Sequence, residues 1–98
     1  MKNITFRQLR FFNAVARQLS FAKAADTMHV SAPAVTMQIK ELEAEVGMPL
    51  FERQGRKVSL TTSGEYMLVY SRKMLALLKD AEDAAARLQR IETGNLTI

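Results

Sequence analysis

Residues 20–47 read SFAKAADTMHVSAPAVTMQIKELEAEVG, and this stretch decides the fold. Ser20 is a helix N-cap ahead of Phe21, Ala24, Ala25 and Met28, which recur along one helical face. The alanines are small enough to let another helix approach closely. His29-Val30 breaks the pattern, and Ser31 caps a further helix with Pro33 in its first turn, where a missing N–H costs nothing. Its buried face is predicted to be Val35, Ile39, Leu42 and Val46; Gly47 stops it and Pro49 follows. Upstream, Thr5 caps a first helix with Phe6, Leu9, Phe12, Val15, Ala16 and Leu19 on its apolar face, ending near residues 17–19. Three short helices, the last two joined by a tight turn, make a helix-turn-helix.

Downstream the period changes. Residues 50–53 and 57–60 are short strand-like segments around Gln54-Gly55-Arg56, a small hairpin or wing that carries Arg53, Arg56 and Lys57. Thr61 or Thr62 then caps a long helix, with Thr62 and Glu65 spaced for a capping box. No Gly or Pro occurs between Glu65 and Glu92, and Met67, Tyr70, Met74, Leu77, Ala81, Ala84, Leu88 and Ile91 occupy successive a and d positions. A helix of about 28 residues spans roughly 40 Å, and three short helices offer too little surface to cover its stripe. Pairing with a second copy is the expected arrangement, so these eight residues are the candidate dimerisation set. Thr93-Gly94-Asn95 is expected to break the helix, and Leu96-Thr97-Ile98 to begin a strand. The expected organisation is a mainly α winged helix-turn-helix over 1–61, a linker helix over 62–93, and at 94–98 the start of a further domain.

Ninety-eight residues amount to one small domain, and 48% apolar with 24% charged residues is too hydrophobic for disorder. There is no cysteine, which removes disulfides, thiol catalysis and cysteine-based zinc sites. The single histidine, His29, falls in a turn; the four glycines form no phosphate loop, and no acid–histidine cluster has metal spacing. An enzyme is not expected. No apolar run is long enough to span a bilayer and the N-terminus has no signal-peptide core, so a cytoplasmic location without membrane contact is expected.

The net charge of +4 is laid out in blocks: +5 over residues 1–40, −4 over 41–52, +5 over 53–79 and −2 over 80–98. Two basic stretches flanking an acidic one can meet a polyanion, and the same charges also fit solvated helix faces. The run Glu41-Glu43-Glu45 is expected on the solvent side of the third helix.

If Val35, Ile39 and Leu42 face the core, Ala32, Pro33, Thr36, Met37 and Lys40 face outward, a surface small and uncharged at its start and basic further along. Bulky or acidic groups there would hold a helix off the major groove. Thr36 can bond base edges or phosphate, Met37 and Pro33 can touch thymine methyls, and Lys40 suits phosphate or guanine. Ser20 and Ser31 cap in any case, and phosphate contact would be additional. Arg53 and Arg56 suit insertion into or alongside the minor groove, with a solvated turn as the less favoured alternative. Lys57 and the cap residue Thr61 complete the candidate DNA-facing set around the wing.

At this point the residues carry a resemblance. Residues 22–25, 28–43 (MHVSAPAVTMQIKELE), 47–53 (GMPLFER), 60–64 (LTTSG) and 94–98 (GNLTI) resemble the N-terminal domain of LysR-type transcriptional regulators, in order and at the family's spacings, with the likeness running from Thr5 to Ile98. The finer pattern at 36–38, 47–53 and 79–82 looks most like the branch that regulates Calvin-cycle carbon-fixation genes. The resemblance implies a homodimer binding double-stranded DNA at an interrupted inverted repeat, under control of a small molecule held by a C-terminal domain, with no cofactor in residues 1–98. The family commonly has Gln at the position of Ala32 and Arg at that of Met37. Losing both removes two bidentate base contacts, each worth about 1–3 kcal/mol of discrimination, and moves the readout to Thr36, Pro33, apolar contacts and DNA shape. The rival is a dimerising interaction module with a basic head and only non-specific DNA affinity; a complete winged helix of another family is a second, disfavoured by the strand-like ending.

Overall fold

The computed structural model describes residues 1–92. Their elements run α1 (Phe6–Gln18), α2 (Phe21–Met28), α3 (Ala32–Val46), β1 (Phe51–Gln54), β2 (Lys57–Leu60) and α4 (Thr62–Glu92). The expected break at 93–95 and strand at 96–98 lie outside the described residues.

α1 is central, with α2, α3 and α4 all packed against it. Thr5 closes a capping box: its hydroxyl accepts from the Gln8 amide at 3.0 Å, and the Gln8 side chain accepts from the Thr5 amide at 3.0 Å. Leu9, Phe11, Phe12 and Val15 are buried. Phe6 and Leu19, expected inward, are instead about half exposed. Phe6 belongs to the first helical turn, before the neighbouring helices close around α1. Leu19 is the C-cap in left-handed backbone, where its amide bonds Val15 and the chain reverses. His29 ends α2 in the same left-handed conformation, which histidine tolerates better than β-branched residues do.

Val35, Ile39 and Leu42 of α3 are fully buried, and Val46 partly so. The acidic run beside them is not uniformly solvated. A Glu43 carboxylate oxygen accepts the amides of Leu50 (2.7 Å) and Phe51 (3.4 Å), and Glu45 accepts that of Asn3 at 3.2 Å. Only Glu41 of the three is exposed. Glu43 thereby ties α3 to the start of the wing. β1 and β2 pair antiparallel with Phe51 opposite Leu60 and Gln54 opposite Lys57. Gly55 alone has positive φ in the two-residue turn, as a II′ hairpin requires.

Thr61 is the cap of α4: its hydroxyl accepts from the Gly64 amide at 2.9 Å and donates to the Pro49 carbonyl at 2.7 Å. Thr62 is already helical, so it heads no capping box. Gly64 is buried where a β-carbon would overlap the Leu50 carbonyl oxygen. Further along, the buried Ser71 hydroxyl donates to the Asn13 side-chain carbonyl of α1 at 3.2 Å.

α4 carries two apolar faces, and this corrects the single stripe read from its heptads. Met67 is only 8% exposed and Met74 packs partly on the same core, so both belong to the protomer's own interior. Tyr70, Leu77, Leu88 and Ile91 are more than half exposed, as is Tyr66. At about 100° per residue the centres of the two sets lie roughly 70° apart around the axis. Ala84, partly buried, falls on the outer set, and Ala81, exposed, falls between the two.

Candidate nucleic-acid interface

The outer face of α3 follows from its inner one. With Val35, Ile39 and Leu42 locked in the core, Ala32, Pro33, Met37 and Lys40 are exposed and Thr36 is half-buried. Met37 is 59% exposed. No acid lies in the first turn. The Thr36 hydroxyl and the Lys40 ammonium have no hydrogen bond or ion pair with another described residue. This face thus offers methyl and thioether groups, one hydroxyl and one cation, none of them committed within the fold. Ser31 accepts from the Ala34 amide at 3.3 Å, a capping role that leaves its own proton unspent.

A second group of candidate side chains gathers where α2 meets the wing. Ser20 caps α2 by accepting from the Lys23 amide at 3.1 Å. Ser20, Phe21, Arg53 and Arg56 line one recess. Phe21, Thr36, Lys40, Glu43 and Arg53 line another, facing α3. Phe21 and Arg53 therefore belong to both recesses. The aromatic rings run outward from the core, Phe12 edge-on to Phe51 (5.4 Å) and Phe51 edge-on to Phe21 (5.8 Å). The Arg53 guanidinium ends the series 4.1 Å from the Phe21 ring centre. Lys57, also exposed, sits across the hairpin opposite Gln54. Thr61 does not join this group, because its hydroxyl proton is spent on Pro49 and its oxygen on Gly64.

Residues 6–65 match the family described as "Bacterial regulatory helix-turn-helix protein, lysR family". The chain belongs to the LysR family. It is 42% identical over all 98 residues to the HTH-type transcriptional regulator CfxR of Cupriavidus necator, covering 31% of that protein. It is 43% identical over 96 residues, 98% of the chain, to the RuBisCO operon transcriptional regulator of Allochromatium vinosum, covering 32% of it. The chain thus spans about a third of the length of these relatives. Among solved structures, a DNA complex of the CbnR DNA-binding domain superposes with a TM-score of 0.84 at 39% identity, over 89% of this chain and 100% of that one. The BenM DNA-binding domain on its benA site 1 DNA gives 0.83 at 35%, over 88% and 97%.

Within this LysR-family chain, two residues of the interface region do not stand out as functional in the sequence. Phe21 reads as one more apolar residue of α2, and Glu43 as one more solvated acid. The signal for Phe21 is strand alternation: Phe51 and Arg53 point to one side of β1, so whatever Phe51 packs on, Arg53 meets next. Glu43 has no comparable local signal, since its partners come from beyond Gly47.

Proposed function

We propose that this chain is the sequence-specific DNA-binding part of a dimeric bacterial transcriptional regulator, acting at an interrupted inverted repeat ahead of a promoter. Residues 1–61 act as the winged helix-turn-helix and α4 as the dimerisation helix. The first turns of α3 enter the major groove, where Ala32, Pro33 and Met37 meet thymine methyls and Thr36 and Lys40 meet polar base edges or phosphates. Ser20, Ser31, Arg53, Arg56 and Lys57 anchor the backbone on either side, the wing arginines along the minor groove. The outer face of α4, with Tyr70, Leu77, Ala84, Leu88 and Ile91 and with Ala81 at its edge, covers that of a second copy. Two α3 helices are then held about one helical turn of DNA, or a multiple of it, apart.

The observation that carries this reading is the outer face of α3, bare, free of acid through its first turn and uncommitted to any partner in the fold. The role is regulatory rather than catalytic, and cytoplasmic, where bacterial promoters are; among the described residues no helix is long and apolar enough to cross a membrane. A small-molecule effector is expected on the remaining two thirds of the full-length protein. Carbon-fixation genes are the favoured target, supported by relatives named as RuBisCO transcriptional regulators, 43% and 42% identical over 98% and 96% of the chain.

The test is the salt dependence of affinity for random-sequence duplex. About three cationic phosphate contacts per protomer predict a slope of log K against log salt of about −5 for the dimer. A flat dependence would overturn the DNA reading, and a steep slope with equal affinity for every sequence would leave the dimerising module with only non-specific DNA affinity.

A further inference from the structure

We propose that Phe21 is a positioning residue for DNA binding, holding the Arg53 guanidinium over its ring so that the guanidinium's N–H edge faces a backbone phosphate beside the start of α2. The proposal rests on the DNA-binding reading above and assigns a role to a residue that otherwise passes for core.

Arg53 has no hydrogen bond or ion pair with another described residue; its contact is the Phe21 ring, 4.1 Å from the ring centre. That arrangement has a chemical consequence. A guanidinium held over a ring and hydrogen-bonded to nothing else keeps its N–H donors available, and those donors match a phosphate in bidentate fashion. A carboxylate partner would order the side chain equally well but would consume the same donors and cancel the charge. The nearest acid along the strand, Glu52, points to the opposite side of β1 by strand alternation. The ring itself is fixed from behind. Phe21 meets Phe51 edge-on at 5.8 Å, and Phe51 meets the fully buried Phe12 at 5.4 Å. Glu43 holds the backbone of Leu50 and Phe51, so the strand that carries Arg53 is anchored as well.

The charge so placed lines the recess that Ser20 and Arg56 also line. A flexible arginine loses side-chain entropy when it binds, and part of that loss is removed if the side chain is ordered beforehand. Phe21 therefore acts on affinity through Arg53 and adds no contact of its own to DNA.

A double-mutant cycle on the 98-residue chain tests this, with a random-sequence duplex as probe. F21L is expected to weaken binding about two- to fivefold while Arg53 is present, and to change nothing in an Arg53→Ala background. The salt slope is expected to stay at its unmodified value in F21L. In R53A it is expected to become shallower by about 0.9 for each phosphate that Arg53 neutralises in the unmodified protein. An equal loss of affinity from F21L in both backgrounds assigns Phe21 to packing alone and overturns the proposal while leaving the DNA reading intact. No duplex affinity in the unmodified chain overturns both. Should the Leu variant fail to fold, Phe21→Met repeats the cycle. Proton NMR of the free chain decides the ring stacking without any variant: the Arg53 side-chain protons are expected upfield, shielded by the ring, and unshielded protons would overturn the proposal.

Discussion

α3 and α4 both carry apolar residues on two sides, and the fold uses them differently. In α3 one face is wholly consumed by the core, through Val35, Ile39 and Leu42, and the opposite face stays bare along the length of the helix. α4 divides its length. Its first turns are buried through Gly64, Met67 and Ser71, while from Lys79 to Glu92 every residue is exposed except the partly buried Ala84. A short helix held inside a small body has an outer face that only a ligand can cover. A helix of about 46 Å leaves that body after its first half, and its side is free for another helix.

The comparison is broken most severely at the point where α4 enters the body. Gly64→Ala is expected to cost about 3 kcal/mol, the upper end for overpacking, because the added carbon meets the backbone oxygen of Leu50 rather than a movable side chain. Thermal unfolding should show Tm lower by about 12–24 °C for a chain of this size. Unaltered stability would mean that α4 does not dock where described.

Charging the outer face should do the reverse. Leu77 and Leu88 are 69% and 60% exposed, so Leu77→Glu with Leu88→Glu is expected to leave Tm of the folded domain within about 2 °C. Sedimentation is then expected to report a monomer for this variant and a dimer for the unmodified chain. Met74 is a poor site for this experiment, since it packs partly on its own core. A dimer that survives both charges would move the partner surface elsewhere.

On α3, Met37→Arg is expected to introduce a guanine preference worth about 1–3 kcal/mol at one position of each half-site, with stability unchanged because Met37 touches no part of the core. Selection of bound sequences checks it, and an unaltered site would turn Met37 away from the bases. The smallest effect concerns the seam between α1 and α4. Ser71→Ala leaves the Asn13 carbonyl without its donor and is expected to cost about 1 kcal/mol, read as a Tm lower by about 4–8 °C.

The inner face of α3 is legible from spacing alone, because four apolar residues recur between two strong boundary signals, Ser31 and Gly47. The outer face follows from it with no further information. α4 is less legible because Met67 and Met74 satisfy a heptad that Tyr70 and Leu77 also satisfy, and spacing does not say which side meets the protomer and which a partner. In α1, apolar residues at Phe6, Leu9, Phe11 and Phe12 leave the inward set ambiguous, and the neighbouring helices choose Phe11 over Phe6. The interface around Arg53 is legible as charge and not as geometry. The wing arginines stand out in the residue string, but the ring beneath Arg53 and the carboxylate that pins its strand come from α2 and α3, brought there only by the fold.

What the proposed function requires above all is that the bare face of α3 reads sequence, twice, in a dimer. Selection of bound sites from a random duplex library at near-physiological salt tests it most directly. The expected result is an enriched inverted repeat, its half-sites separated by about one helical turn or a multiple of it. Binding without enrichment, fading as salt rises, would contradict it and leave a basic dimer that holds DNA without reading it.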